Sequence, residues 1–168
     1  GAAGTAGARG TAGAAAGGAV GAAGAAGAVD LTGFSTYRLY IVTNNADDFV
    51  SSISGDATNP TYVNTTTSFW HDGVGSNTGG GIQGFLLGLF PSLAFDSWVT
   101  IGLESTPNAA LGEAAISTVG SDANPWLTNF DPLGGNIAID DGIGGAWYAL
   151  NGDANGFAGD DLKAVSYT

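Results

Sequence analysis

Glycine returns at every third position at the start of this chain, and no other feature restricts its folding as strongly. It falls at Gly1, Gly4, Gly7, Gly10 and Gly13, then at Gly18, Gly21, Gly24 and Gly27, with one phase slip around Ala16-Gly17. The residues between are alanine apart from Thr5, Arg9, Thr11, Gly17 and Val20. An α-helix pays roughly 1 kcal/mol for each glycine relative to alanine, so helix is disfavoured here. A polyproline-II strand has three residues per turn, which puts triplet glycine along one edge. Where three such strands meet at a common axis, only glycine fits.

Residues 1–28 therefore read as a polyproline-II or collagen-like stalk, with a flexible Gly/Ala linker as the alternative. The segment contains no proline to pre-set φ, so it is a weak triple-helix former by itself. The stalk reading carries an expectation of self-association, as a homotrimer or a fibre.

Charge narrows the list of partners. The chain has 168 residues, 15 acidic against 3 basic, and a formal net charge of −12. The cations are Arg9, Arg38 and Lys163. Nucleic-acid binding needs clustered cations to displace phosphate counterions, and attraction to anionic lipid needs the same. Both are excluded on charge. No apolar run is long enough to span a bilayer, and the first residues lack the pattern of a signal peptide. Charged residues are 11% of the chain, well under the usual share of about 25%, with Ser, Thr, Asn and Gly in their place. That composition suits an exported β-protein. Cysteine is absent, which rules out disulfides and thiolate metal sites.

From Val29 the pattern changes to strand and turn. Thr36–Thr43 is β-branched and aromatic without a breaker, and predicts a central strand. Further strands are predicted at Phe49–Ser54, Thr61–Trp70, Ala114–Val119, Asn136–Ile139, Ala146–Leu150 and Leu162–Tyr167, with a glycine-rich loop at Gly73–Gly81. Ile82–Phe90 is the longest apolar run and reads as a short helix or a buried strand. Asp96–Glu104 alternates, so Val99, Ile101 and Leu103 are expected to face a core while Trp98, Thr100 and Gly102 face away. Many short strands divided by Gly, Asn, Asp and Pro clusters point to an all-β domain over 29–168, a β-sandwich or jelly roll. The chain ends within an apparent strand, and a longer polypeptide is expected to continue beyond it.

Three stretches carry a resemblance. They are Thr36-Tyr-Arg-Leu-Tyr40, Asp96-Ser-Trp-Val-Thr-Ile-Gly102 and the run from Gly144 to Leu162 that begins Gly-Gly-Ala-Trp-Tyr-Ala-Leu-Asn-Gly. Together they resemble a β-module of large modular secreted surface proteins of marine bacteria. The resemblance covers roughly residues 30–168 and leaves out the Gly/Ala segment. It implies export and a multidomain setting, and it supplies no catalytic residues.

The residues able to do chemistry are few. His71 is the only histidine and sits between Trp70 and Asp72. Neighbours on a strand point to opposite faces, so His71-Asp72 does not make a catalytic dyad, and His71 reads as a loop residue after a strand. The acid pairs Asp47-Asp48, Asp140-Asp141 and Asp160-Asp161 are sequence neighbours, whereas glycoside hydrolysis needs carboxyls converging across a cleft. Asn151–Asp161 spaces oxygen ligands and a glycine like the start of an EF-hand loop but has Leu162 where the bidentate Glu belongs. Asp153, Asn155, Asp160 and Asp161 are therefore candidate calcium ligands, against the plainer reading of a hairpin loop. Asn64-Thr-Thr66 is a glycosylation sequon. An exposed Trp70 or Trp126 would offer a face for glycans, although tryptophan is more often core.

These readings converge on a non-enzymatic extracellular structural protein, a subunit of a surface fibre, appendage or matrix. A carbohydrate- or receptor-binding head on a stalk is the alternative, and a secreted hydrolase is the third.

Overall fold

A computed structural model describes residues 36–41, 43 and 45–158, and the backbone of 163–166. The glycine-triplet segment 1–28 lies outside the described residues, as do Asp160 and Asp161. The described chain is mostly short strands with 3-10 turns and one five-residue α-helix, compatible with the all-β class.

Among the described residues, seven strands form three antiparallel sheets. β1 (Arg38–Ile41) pairs with β7 (Lys163–Ser166), Leu39 opposite Val165. β6 (Gly145–Tyr148) lies between β2 (Ser52–Gly55) and β4 (Ser117–Val119), so Trp147 faces Ile53 on one side and Thr118 on the other. β3 (Thr61–Val63) pairs with β5 (Ile137–Ile139). The helix α1 (Trp126–Phe130) packs beside β5.

One core joins these parts. Val63, Ile137 and Ile139 of the β3–β5 sheet meet Trp147 of β6, Trp126 and Phe130 of α1, and Val99, Ile101 and Leu103 from the long connection between β3 and β4. Trp126 and Trp147 lie 5.7 Å apart at ring centroids. Each also settles its indole N–H, Trp126 on the Val119 carbonyl (3.0 Å) and Trp147 on the Thr100 carbonyl (3.2 Å). Gly144-Gly145 is required by this packing. Gly144 has φ +78°, and a Cβ on Gly145 would press on the Trp126 ring and the Val119 carbonyl.

Several sequence expectations are corrected. Thr36–Thr43 does not form a central strand: β1 belongs to a two-stranded sheet, and Arg38 and Tyr40 are exposed. The Thr61–Trp70 strand stops at Val63, because the backbone N–H groups of Thr65 and Thr67 go to side-chain oxygens rather than to a partner strand. The Thr67 N–H donates to the Thr65 hydroxyl (3.4 Å), and the Thr65 N–H donates to the Asn136 side chain (3.0 Å). Asp96–Glu104 is not a strand. Val99 makes one bridge to Thr78, and the chain then turns at Gly102 (φ +69°), where the Thr100 hydroxyl donates to the Leu103 carbonyl (2.6 Å). Val99, Ile101 and Leu103 are buried as expected, but Trp98 and Thr100 are buried too, because the segment has packing on both sides. Of the two readings of Ile82–Phe90, the buried strand is not found and the short helix is present in part. The segment forms a 3-10 turn over Gly84–Gly88 whose side chains are largely in solvent.

Candidate functional site

Two features stand apart from the core, and they are joined. The first is the surface loop through Gly84–Phe90. Phe85 (72% exposed), Leu87, Leu89 (69%) and Phe90 all face solvent within one short segment. The chain carries no charged residue from Gly73 to Phe95. A small second core helps to hold the loop down: Ile82, Leu93 and Trp98, with Leu86 against them. Other exposed apolar side chains, such as Leu133 and Ile143, lie in separate parts of the sequence.

The second feature is the polar anchor beneath that loop. A 3-10 turn at Pro91–Phe95 ends on Asp96, whose side chain is 1% exposed. Its carboxylate accepts the backbone N–H of Asp72 (2.9 Å) on one oxygen and that of Ser76 (2.8 Å) on the other. Gly75 allows this approach, because a Cβ there would collide with the Asp96 carboxylate. Asp72 completes the tie: the Ser92 hydroxyl donates to it (2.6 Å), which links the turn at 72–76 to the 91–95 turn. The Ser97 N–H donates to the Trp70 carbonyl (3.0 Å).

His71 lies in this anchor rather than in an open loop. Its side chain is 7% exposed and rests edge-on against Phe130, with ring centroids 4.8 Å apart. Nδ1 is 3.8 Å from an Asp96 oxygen and 3.9 Å from an Asp131 oxygen. Neither ring nitrogen has a hydrogen-bond partner, nor does the buried Ser97 hydroxyl. Burial raises the Asp96 carboxyl to about 6, against the pull of its two amide hydrogen bonds and of His71, with Asp131 adding to the rise. Adjacency of His71 and Asp72 was visible in the sequence. That the imidazole instead faces Asp96 and Asp131 was not, since both come from distant loops.

The calcium candidates take separate roles. Asn155 is 1% exposed; its oxygen accepts the Ala114 N–H (3.0 Å) and its amide donates to the Ile101 carbonyl (2.9 Å). Asn155 thus ties the 151–158 loop to the core. Asp153 is half-buried and accepts the Leu150 N–H (2.9 Å). Among the described residues, no group of three or more His, Asp or Glu side chains is arranged to hold a metal ion. Asn64 is exposed just after β3. The glycan face suggested for Trp126 is corrected: the ring is 2% exposed and belongs to the core, while Trp70 keeps partial exposure. A shallow cleft of about 140 Å³ beside α1 is below the range of about 300–1,000 Å³ usual for small-molecule sites. Asp140 and Asp141 serve structure, Asp140 accepting the Tyr62 hydroxyl (3.0 Å) and Asp141 the Ser121 hydroxyl (2.7 Å).

Comparison with protein-family models, curated proteins and solved structures returns no match.

Proposed function

We propose that this protein is a structural or display module of an extracellular surface assembly, and that it works by associating with copies of itself. The observation that carries the reading is the exposed, uncharged run Phe85–Phe90. Monomeric soluble proteins seldom display clustered large apolar side chains, and clusters of this kind mark contact surfaces. The partner follows from charge. Two copies at −12 each repel one another, so contact between them needs a face free of carboxylates. The Gly73–Phe95 stretch is such a face.

The rest of the reading is of a piece with this. A β-sandwich or jelly roll is supported by the way the β2–β6–β4 and β3–β5 sheets feed one core. The non-enzymatic role is supported by the enclosure of His71, which presents no open face to a substrate. The reading of the module as extracellular rests on the surface-protein resemblance, and the stalk on the glycine triplets of 1–28. Calcium held by Asp153 with Asp160 or Asp161 belongs to the same proposal. It predicts a melting temperature that rises in millimolar calcium and falls in chelator.

Sedimentation of the full chain tests the central claim. Wild type is expected to form dimers or larger species at micromolar concentration, and the double substitution Phe85→Ser, Leu89→Ser to sediment as a monomer with unchanged circular dichroism. A wild-type monomer across the concentration range, or assembly untouched by the double substitution, overturns it.

A further inference from the structure

Asp96 is the one carboxylate among the described residues that is fully buried, and His71 beside it is nearly so. Neither touches solvent enough to serve the contact surface above, and their arrangement calls for a separate account. A neutral imidazole carries one N–H and one bare nitrogen. Enclosed as it is, the His71 ring leaves both unpaired, an arrangement that costs free energy. The Nδ1 atom nevertheless faces two carboxylate oxygens, at 3.8 Å and 3.9 Å, just beyond hydrogen-bond reach. The remaining acid close by, Asp72, is already engaged by the Ser92 hydroxyl and the Val74 N–H. Arg38 is paired with Glu104. The ring also packs against Phe130, whose side chain carries no oxygen or nitrogen to accept from it.

We propose that His71, Asp96 and Asp131 form a buried proton-binding site that locks the base of the Asp72–Phe95 segment as the pH falls into the mildly acidic range. One proton added to the ring puts a hydrogen on both nitrogens, so Nδ1 has one to share with the facing oxygens whichever tautomer the neutral ring adopts. A closing movement of about 1 Å then makes a charge-assisted hydrogen bond. The same proton relieves the repulsion between the Asp96 and Asp131 carboxylates. Asp96 can keep both amide hydrogen bonds throughout, so the turn at 72–76 is held more firmly rather than rebuilt. The lock acts on the fold itself and does not depend on whether the apolar loop meets a second copy.

The chain has a single histidine, so nitrogen NMR of histidine-labelled full-length protein reads His71 directly. Proton uptake at Nδ1 is expected to coincide with shifts in the Asp72 and Ser76 amides. Hydrogen-exchange protection of those amides, corrected for intrinsic rate, is expected to rise about tenfold from pH 7.5 to pH 5. Asp131→Asn, at a partly exposed position, should keep the fold and move His71 proton uptake to lower pH. His71→Gln should leave a smaller pH-dependent gain in protection, the part that the Asp96 carboxyl carries by itself. An imidazole titration unchanged in Asp131→Asn, or the same gain in protection in His71→Gln, overturns the proposal. If His71→Gln does not fold, the Asp131→Asn titration decides alone.

Discussion

The main core and the Gly79–Phe95 segment draw on the same apolar residue types and use them in opposite ways. The core brings Trp126, Trp147, Phe130, Ile137 and Ile139 from strands and helix into one buried cluster. The segment buries only Ile82 and Leu93, with Trp98 just after it, and leaves Phe85, Leu87, Leu89 and Phe90 in water. Backbone geometry accounts for the contrast. Period-two strands in register give each sheet one continuous inner face. A 3-10 turn of five residues with glycine at both ends has no partner strand and turns side chains outward on most sides. Stability should therefore reside in one region and surface contact in the other.

The largest effect that would test this division is on stability. Trp147→Ala should cost about 3–5 kcal/mol in urea unfolding, because it opens a cavity under β6. Phe85→Ala should stay within about 0.5 kcal/mol, as at other exposed sites. Equal losses at both positions would mean that the loop is covered within the fold, contrary to the comparison.

The next effect sharpens the link between the regions. Asp96 has its carboxyl raised from 3.8 to about 6 by burial, so the folded chain holds that proton more tightly than the unfolded chain. Its contribution is fully present below about pH 4 and is lost as pH rises through about 6, a change on the order of 3 kcal/mol. Unfolding free energy measured from pH 4 to pH 7.5 should fall accordingly, and Asp96→Asn should flatten that slope. Since acid also relieves the general repulsion of a −12 chain, only the difference between wild type and variant counts.

A smaller loss is expected at the 151–158 loop. Asn155→Ala removes two buried hydrogen bonds and should cost about 2 kcal/mol, equally in calcium and in chelator. Dependence of that loss on calcium would make Asn155 more than a strut. The smallest effect has the opposite pH sign to Asp96. Hydrogen bonds from the Ser121 hydroxyl and then the Gly144 N–H hold the Asp141 carboxyl below its usual value. Its contribution is present above pH 3.8 and is lost as pH falls through the lowered value. Asp141→Asn should therefore lower the melting temperature slightly at pH 6 and leave it unchanged at the acid end.

Much of this was legible in the chain. β2, β4, β5, β6 and β7 fall in or beside segments whose β-branched and aromatic residues announced them. Val99, Ile101 and Leu103 declared their burial by alternation. The chain by itself also determined the acidity and the uncharged stretch from Gly73 to Phe95, because these depend on composition alone. Tertiary structure decided which apolar residues were covered. Ile82–Phe90 has the hydrophobicity of a core element, yet whether it is buried depends on neighbours that arrive from elsewhere in the chain. It also decided where polar side chains went. Asn155 had the spacing of a ligand and became a strut to Ala114 and Ile101, and His71 passed over its neighbour Asp72 to face Asp96 and Asp131. Periodicity reports which side of its own element a residue occupies, whereas burial and partnership are set by segments far away in sequence that only folding brings near.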